Sequence, residues 1–168
     1  DAALHAKASI VGGGALGLAA AATVTAPTGA GDQYAGASGV TGQLAGILGL
    51  RQGRIGGGLN AGVRLRGEAG VGDIKQGNAV TYGASASFRA TRELTVVAEL
   101  YGQYGLSGGA SAGVSPLEVA GGLRYRLASA ISVAAGAGRG LMPGVGSPDV
   151  RGFVLMTYAP RARSAEPL

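Results

Sequence analysis

The sequence predicts an all-β protein, an antiparallel up-and-down transmembrane β-barrel with at least eight and up to ten strands. Three observations predict it. Apolar and polar residues alternate over segments of about ten residues, the length of strand that crosses a bilayer at a tilt. The connections between these segments alternate between short and long. Charged residues make up only 14% of the chain, against roughly 25% in ordinary soluble domains.

The clearest alternation lies in residues 79–104, where two segments flank a short polar turn at 90–93. In the first segment the apolar parity holds Val80, Tyr82, Ala84, Ala86 and Phe88, and the polar parity holds Thr81, Gly83, Ser85, Ser87 and Arg89. In the second segment the apolar parity holds Leu94, Val96, Ala98, Leu100 and Tyr104, and the polar parity holds Thr95, Glu99, Tyr101 and Gln103. A period of two predicts strands with one apolar and one polar face.

Seven more segments have the same period. They are residues 4–11, 15–26, 38–50, 54–66, 116–127, 131–140 and 150–159. Nine is an odd number, whereas a closed barrel of a single bacterial chain has an even one. Either residues 15–159 close as eight strands and residues 1–11 lie elsewhere, or a tenth strand lies upstream and the chain is a fragment.

The predicted domain organisation is simple. Residues 1–160 form the barrel, with residues 1–14 as an extra N-terminal strand or a lead-in, and residues 161–168 form a disordered tail or linker. In the last strand the outward positions are predicted to be Val150, Val154, Met156 and Tyr158, with Arg151 inward, although Phe153 and Leu155 blur the parity.

The connections have two lengths. Short turns are predicted near 12–14, 51–53, 90–92 and 128–130, and longer loops at 27–37, 67–78, 105–115 and 141–149. Bacterial outer-membrane barrels have short periplasmic turns and longer external loops. The pattern therefore predicts an outer-membrane location with the long loops outside.

Composition excludes several classes of protein. The net charge of +5 does not form one basic run, and most Arg residues lie on the polar parity, so nucleic-acid binding is not expected. The absence of Cys excludes disulfides and thiolate metal sites. The sequence has no positively charged segment followed by an apolar one, so it does not predict a signal peptide.

The charged residues of the polar parity predict an ionic network that fills a narrow lumen, because buried charges must be paired. Its members are Arg64, Arg66, Arg89, Glu99, Glu118, Arg124 and Arg126. General acid/base chemistry by the two carboxylates is the less favoured alternative. Neither His5, the only histidine, nor the loop residues Asp32, Asp73 and Asp149 predict a catalytic or metal site. We expect no enzyme activity and no cofactor.

One motif favours a different class of protein. Residues 10–17 place Gly12, Gly14 and Gly17 at the spacing of a dinucleotide fingerprint. That fingerprint requires a helix after the glycines and an acidic residue after a further strand. Asp32 is the only nearby acid, and no apolar strand precedes it. The stretch between Lys7 and Asp32 is uncharged, but two strands of small residues explain it better than a transmembrane helix does.

Five aromatic residues lie on the apolar parity, several of them near strand ends, and are predicted to form a girdle at the lipid interface. They are Tyr82, Phe88, Tyr104, Tyr125 and Tyr158.

The segment PLEVAGGLRYRL at 116–127, followed by GAGRGL at 136–141 and GVGSPDVR at 144–151, resembles the late strands of the barrel in the outer membrane protein A family. The resemblance implies a barrel with more N-terminal strands, commonly followed by a periplasmic peptidoglycan-binding domain. That domain would be outside this chain.

Together these features predict a structural outer-membrane anchor with a narrow, Arg-rich, ion-paired lumen. The expected partners are outer-membrane lipid and lipopolysaccharide. The alternatives are a small passive porin with a weak preference for anions and a soluble dinucleotide-binding protein.

Overall fold

The computed structural model of the protein describes residues 1–29, 39–71, 74–106, 115–142, 144 and 147–159. These residues form strands and connections and contain no helix. The strands are β1 (Ala2–Val11), β2 (Leu16–Ala26), β3 (Thr41–Gln52), β4 (Ile55–Leu65), β5 (Ala69–Val71), β6 (Ile74–Gln76), β7 (Ala79–Arg89), β8 (Leu94–Gly105), β9 (Leu117–Arg126), β10 (Ile131–Met142) and β11 (Arg151–Tyr158).

Nine strands form one antiparallel sheet in the order β1-β2-β3-β4-β7-β8-β9-β10-β11. Every strand pairs with the long strand next to it along the chain, so the all-β, up-and-down prediction is confirmed. The sheet is not closed, because no ladder joins β1 to β11 among the described residues. With an odd number of alternating strands, these two edge strands run in the same direction.

Residues 1–11 join the sheet, so the alternative that places them elsewhere is wrong, whereas the other alternative, a tenth strand upstream, stays a prediction. β1 pairs with β2 from Ala2 opposite Ala26 to Ser9 opposite Ala19. The register then shifts between Ser9 and Val11, so the strand bulges just before the turn. The apolar residues of β1 extend the alternation of β2, and this is why the segment pairs there.

The two faces of the sheet follow the predicted parities. Directly paired residues of an antiparallel sheet point to the same side, so the register carries each parity from strand to strand. Ile55 pairs with Phe88 and Phe88 with Val96, whereas Ser85 pairs with Glu99. We call the first side the apolar face and the second the polar face.

The apolar face has mostly exposed large side chains, of which Val154 is the most exposed, at 79%. Its large exposed residues are Leu4, Leu16, Leu18, Val24, Leu44, Leu48, Leu50, Ile55, Leu59, Val63, Leu65, Tyr82, Phe88, Val96, Leu100, Tyr104, Leu123, Tyr125, Ile131, Val154, Met156 and Tyr158. Among the described residues the only buried hydrophobic ones are Ala19 and Ala79. A β-sandwich covers this face with a second sheet. In the described part of the chain no second sheet covers it.

The polar face is concave. Arg64 on β4 reaches Gln103 on β8, two positions away in the sheet, with an Nη1 to Oε1 distance of 2.9 Å. Arg151 on β11 reaches Tyr101 on β8, three positions away, at 3.2 Å. Three positions in a flat sheet span about 14 Å at roughly 4.8 Å each. Curvature toward the polar face brings these side chains together.

Short turns connect the strands at one end of the sheet. Gly13 has a φ of 102° and Gly53 a φ of 58°, a region that glycine adopts without steric cost. In the turn between β7 and β8, the Thr91 hydroxyl accepts hydrogen bonds from the backbone N–H groups of Glu93 and Leu94, at 3.1 and 3.0 Å. These turns lie where the sequence predicted them.

The segment 67–78, predicted as a loop, contains a short hairpin in which β5 pairs with β6, from Ala69 opposite Gln76 to Val71 opposite Ile74. The predicted loop therefore contains two paired strands that the sequence did not predict. Three-residue strands are too short for the two-residue period to be recognised.

The final strand agrees with its predicted faces. Val154, Met156 and Tyr158 pair with apolar-face residues of β10, whereas Arg151 pairs with Gly138 on the polar face. The predicted tail at 161–168 lies outside the described residues. No helix in the described part of the chain is long and apolar enough to cross a membrane.

Candidate functional site

The candidate site is the polar face, which carries nearly all the strand charges. Along the strands it has three zones. The polar zone lies beside the long connections and includes Arg64 and Glu118, the middle zone is apolar and includes Val97 and Phe153, and the arginine zone lies beside the short turns and includes Arg89 and Arg126. The seven residues predicted as one ionic network all lie on or beside this face, but they are divided among the zones. Arg64, Arg66 and Glu118 lie in the polar zone, Glu99 borders the middle zone, Arg124 borders both the middle and the arginine zone, and Arg89 and Arg126 lie in the arginine zone.

In the polar zone, side-chain hydrogen bonds link four strands. Gln43 on β3 donates from its amide nitrogen to the Thr81 hydroxyl on β7 at 3.4 Å. Arg64 on β4 donates to the Gln43 amide oxygen at 3.4 Å and to the Gln103 amide oxygen on β8 at 2.9 Å. Two neutral amides therefore hold the Arg64 guanidinium, which was predicted to belong to an ionic network.

Arg66 lies just after β4. Its Nε donates to the Gly77 carbonyl at 2.9 Å, and its backbone N–H donates to the Asn78 side-chain oxygen at 3.1 Å. Partial burial, and secondly the charge of Arg64, lower the pKa of Arg66 from its ordinary value. Two guanidinium groups thus share this end of the polar face.

The second cluster of the polar zone joins Tyr101, Glu118 and Arg151. The Tyr101 hydroxyl donates to Glu118 Oε2 at 2.8 Å, and Arg151 Nη2 lies 3.5 Å from the same oxygen. The Glu118 side chain is only 12% exposed, whereas that of Arg151 is 46% exposed. Between them β10 presents Gly138 and Gly140 on the polar face, so no side chain of β10 obstructs the ion pair.

Tyr101, Glu118 and the Gln43–Thr81 pair line a cavity of about 390 Å³, together with Asn60 and Pro116. Within the described residues the Arg151–Glu118 pair is the only salt bridge. Glu118 thus pairs with an arginine that the sequence placed on the inward side but outside the ionic network.

The middle zone holds an apolar cavity of about 180 Å³ between β8 and β11. Val97, Phe153 and Leu155 line it together with the charged Glu99 and Arg124. The small residues of β9 and β10 leave this space open, since Gly122 and Gly136 face each other across the strands. The Phe153 ring lies over Gly136, where a β-carbon would overlap it. From the sequence, Phe153 and Leu155 were recognised only as exceptions to the alternation of the last strand, and no cavity was predicted there.

The arginine zone is a cavity of about 310 Å³ at the short-turn end. Ser87, Thr95, Arg89, Arg124 and Arg126 line it, together with Arg51 and Arg54. Arg51 lies near the end of β3 and was predicted as a turn residue, whereas Arg54 lies in the turn and was predicted as the first residue of the segment 54–66. The alternation of β3, continued past Leu50, was the signal that could have assigned Arg51 to this face.

The other motifs considered in the sequence, His5, the glycines at 12–17 and the loop acids, do not form a site among the described residues. The His5 Nδ1 lies 2.9 Å from the Thr23 hydroxyl on an exposed surface. Gly12 and Gly14 belong to the connection between β1 and β2, and Gly17 lies in the strand β2. The dinucleotide fingerprint therefore lacks the helix that would bind the phosphates. In the described part of the chain no cluster of three His, Asp or Glu side chains is placed to hold a metal ion; Asp32 and Asp73 lie outside it.

By its fold, the protein is an all-β protein with one curved, up-and-down antiparallel sheet. One face of this sheet is apolar and exposed, and the concave face is charged. The chain matches the family model described as "Putative MetA-pathway of phenol degradation" over residues 2–143. The chain therefore belongs to that family. The resemblance to the outer membrane protein A family is not confirmed by this match. No curated protein and no solved structure matches the chain.

Proposed function

We propose that this chain forms the wall of an outer-membrane β-barrel, with the apolar face toward lipid and the polar face toward the lumen. The exposed apolar face carries this proposal. Its large side chains have no covering layer among the described residues, and a continuous exposed apolar surface of this kind marks a membrane or partner interface.

The charges support the same orientation. Along the long strands the arginines lie on the polar face, and the exception is Arg139, which pairs with Val119 on the apolar face three residues before the end of β10. An arginine near a strand end can extend its head group to the membrane surface. With the long connections outside, Arg139 would meet the phosphates of lipopolysaccharide.

We further propose that the barrel is a structural anchor with a closed lumen and performs no catalysis. Side-chain bonds cross the polar zone from β3 to β8 and from β8 to β11. Barrels of about eight strands have an interior just wide enough for side chains to fill. Such cross-links would narrow any passage at the long-loop end.

Adjacent residues on opposite faces give a direct test of the membrane orientation. The native chain has no Trp, so Val96→Trp and Val97→Trp each introduce a single probe, the first on the apolar face and the second on the polar face. In vesicles with brominated acyl chains, the fluorescence of Val96→Trp should be strongly quenched and that of Val97→Trp much less. Equal quenching, or a protein that stays monomeric and folded without detergent, would refute the barrel.

Conductance separates an anchor from a pore. The folded protein in planar bilayers should carry no steady current. A steady, anion-selective current would replace the closed anchor with the porin alternative, while the quenching result would still report the orientation of the wall.

A second candidate function is the binding of small aromatic solutes on the polar face. The apolar cavity in the middle zone favours it, because Phe153 and Leu155 offer a ring-sized surface beside the Glu99 carboxylate, which can accept a phenol O–H. The family description links this family to phenol degradation. Phenol should bind the native protein and bind more weakly to Phe153→Ala. Phe88→Ala, on the apolar face, is the matched control and should leave binding unchanged.

A further inference from the structure

The arginine zone differs from the rest of the polar face because its arginines have no acidic partner among the residues that the structure describes. Five arginines line the cavity and no carboxylate does: Arg51, Arg54, Arg89, Arg124 and Arg126. In the polar zone, by contrast, Glu118 and neutral amides take up the guanidinium groups. No guanidinium of the arginine zone forms a salt bridge within the described residues.

The sheet register brings these arginines together. Arg89 pairs with Thr95 across β7 and β8, and Thr95 pairs with Arg124 across β8 and β9. The three side chains therefore lie in one row on the polar face. The backbone N–H of Arg89 also donates to the Arg54 carbonyl at 2.8 Å, which holds the turn between β3 and β4 against the end of β7.

A second row of paired residues on the polar face, Arg51, Gly56 and Ser87, contributes a hydroxyl donor and leaves space beside it. Arg51 pairs with Gly56, and Gly56 pairs with Ser87. A β-carbon at Gly56 would lie 2.7 Å from the Ser87 hydroxyl, so glycine at this position keeps that hydroxyl accessible. Ser87 and Thr95 can both donate hydrogen bonds to an anion that the arginines attract.

The acids nearest in sequence do not neutralise this cluster. Glu93 precedes β8, and its carboxylate accepts a hydrogen bond from the Thr91 hydroxyl at 3.1 Å. Glu99 borders the apolar cavity beside Arg124 and forms no salt bridge with it. Several like charges that converge on one concave surface focus a positive potential there.

We propose that this cavity binds a phosphate-bearing solute. Guanidinium groups bind phosphate through paired, charge-assisted hydrogen bonds, and five of them around about 310 Å³ suit a group with at least two negative charges. The arginines lie on the face opposite the exposed apolar side chains, so a solute reaches them more directly than a membrane lipid does. This inference rests on the proposed wall function for the access of the solute, and the quenching of Val96→Trp and Val97→Trp tests that function separately.

Inorganic pyrophosphate is a suitable probe. Titrated calorimetrically at low salt into the full chain in nanodiscs of zwitterionic lipid, it should bind saturably and weaken as salt is raised. The double variant Arg89→Gln/Arg124→Gln should lose about tenfold or more in affinity. Arg139→Gln, which removes a charge from the apolar face of the same sheet, should stay within about twofold of wild type.

A second variant, Arg51→Gln/Arg54→Gln, should also weaken binding and keeps the test valid if the first variant does not fold. Absence of saturable binding by the wild type, or an equal loss in Arg139→Gln, would overturn the proposal. In nanodiscs that contain phosphatidylglycerol the affinity for pyrophosphate should be unchanged. Competition by that lipid would mean that a lipid phosphate occupies the cluster, and it would overturn the assignment to a solute.

Discussion

Tyr101→Phe tests whether the Tyr101, Glu118 and Arg151 cluster stabilises the fold. The substitution removes the hydroxyl that donates to Glu118 at 2.8 Å and leaves a carboxylate that is only 12% exposed. Hydrogen bonds to charged groups contribute about 1.5–3 kcal/mol. The remaining pair with Arg151, which is 46% exposed, offsets little of this loss, since exposed ion pairs contribute about 0–1 kcal/mol. We expect the free energy of unfolding to fall by about 2 kcal/mol.

The assay is urea unfolding of the chain in phosphatidylcholine vesicles, followed by the gel mobility of the folded form. With a slope of about 1–3 kcal/mol per molar urea, the midpoint should fall by about 1 M. Tyr104→Phe is the matched control, because this tyrosine lies on the apolar face, is 49% exposed and belongs to the same strand. A loss in Tyr101→Phe no larger than that in Tyr104→Phe would refute the reasoning.

Two further substitution pairs use matched controls. Gly136→Ala places a methyl group against the backbone of β9, and it should lower the free energy of unfolding by about 1–3 kcal/mol or prevent folding. Gly152→Ala is the control, because its methyl group meets open space and should change the urea midpoint little. Equal midpoints of the two variants would contradict this. Leu59→Arg on the apolar face should lower the free energy of unfolding in vesicles by about 2–4 kcal/mol, and Asn60→Arg on the polar face should lower it far less. Similar losses of stability in the two variants would indicate that the two faces do not differ in environment.

The sequence was sufficient to predict the nine long strands and their two faces, but not β5 and β6. The residues of β7 and β8 alternate with the exception of Val97, and this period decided the assignment of Phe88 to one face and Arg89 to the other. The register then places each partner as the parity requires. Short turns such as 90–93 were equally predictable, because polar turn formers separate two long alternating segments.

The pairing of charges could not be predicted in the same way. Parity places Glu118 and several arginines on one face, but the curvature of the sheet decides which of them meet. Arg151 reaches Glu118 from a strand two positions away, a separation of more than thirty residues in the sequence. A period of two carries no information about contacts between strands that are not neighbours.

The middle and arginine zones depended on residues that the period misread. Phe153 breaks the alternation of β11 because its ring lies over Gly136 of the adjacent strand, and Leu155 lines the same apolar cavity. Arg51 sits at the end of β3, where the two-residue pattern gives way to a turn. Exceptions to an otherwise regular pattern thus marked two of the three zones.

The parallel direction of β1 and β11 has a consequence for the energetics of the backbone. In an antiparallel edge strand every second residue points its N–H and C=O groups away from the sheet. Each such group costs several kcal/mol if it meets hydrocarbon without a hydrogen-bond partner. The two edges therefore need partners before the sheet can reside in lipid. A direct β1–β11 contact would be the single parallel ladder in the sheet, whereas one interposed strand would satisfy both edges with antiparallel ladders.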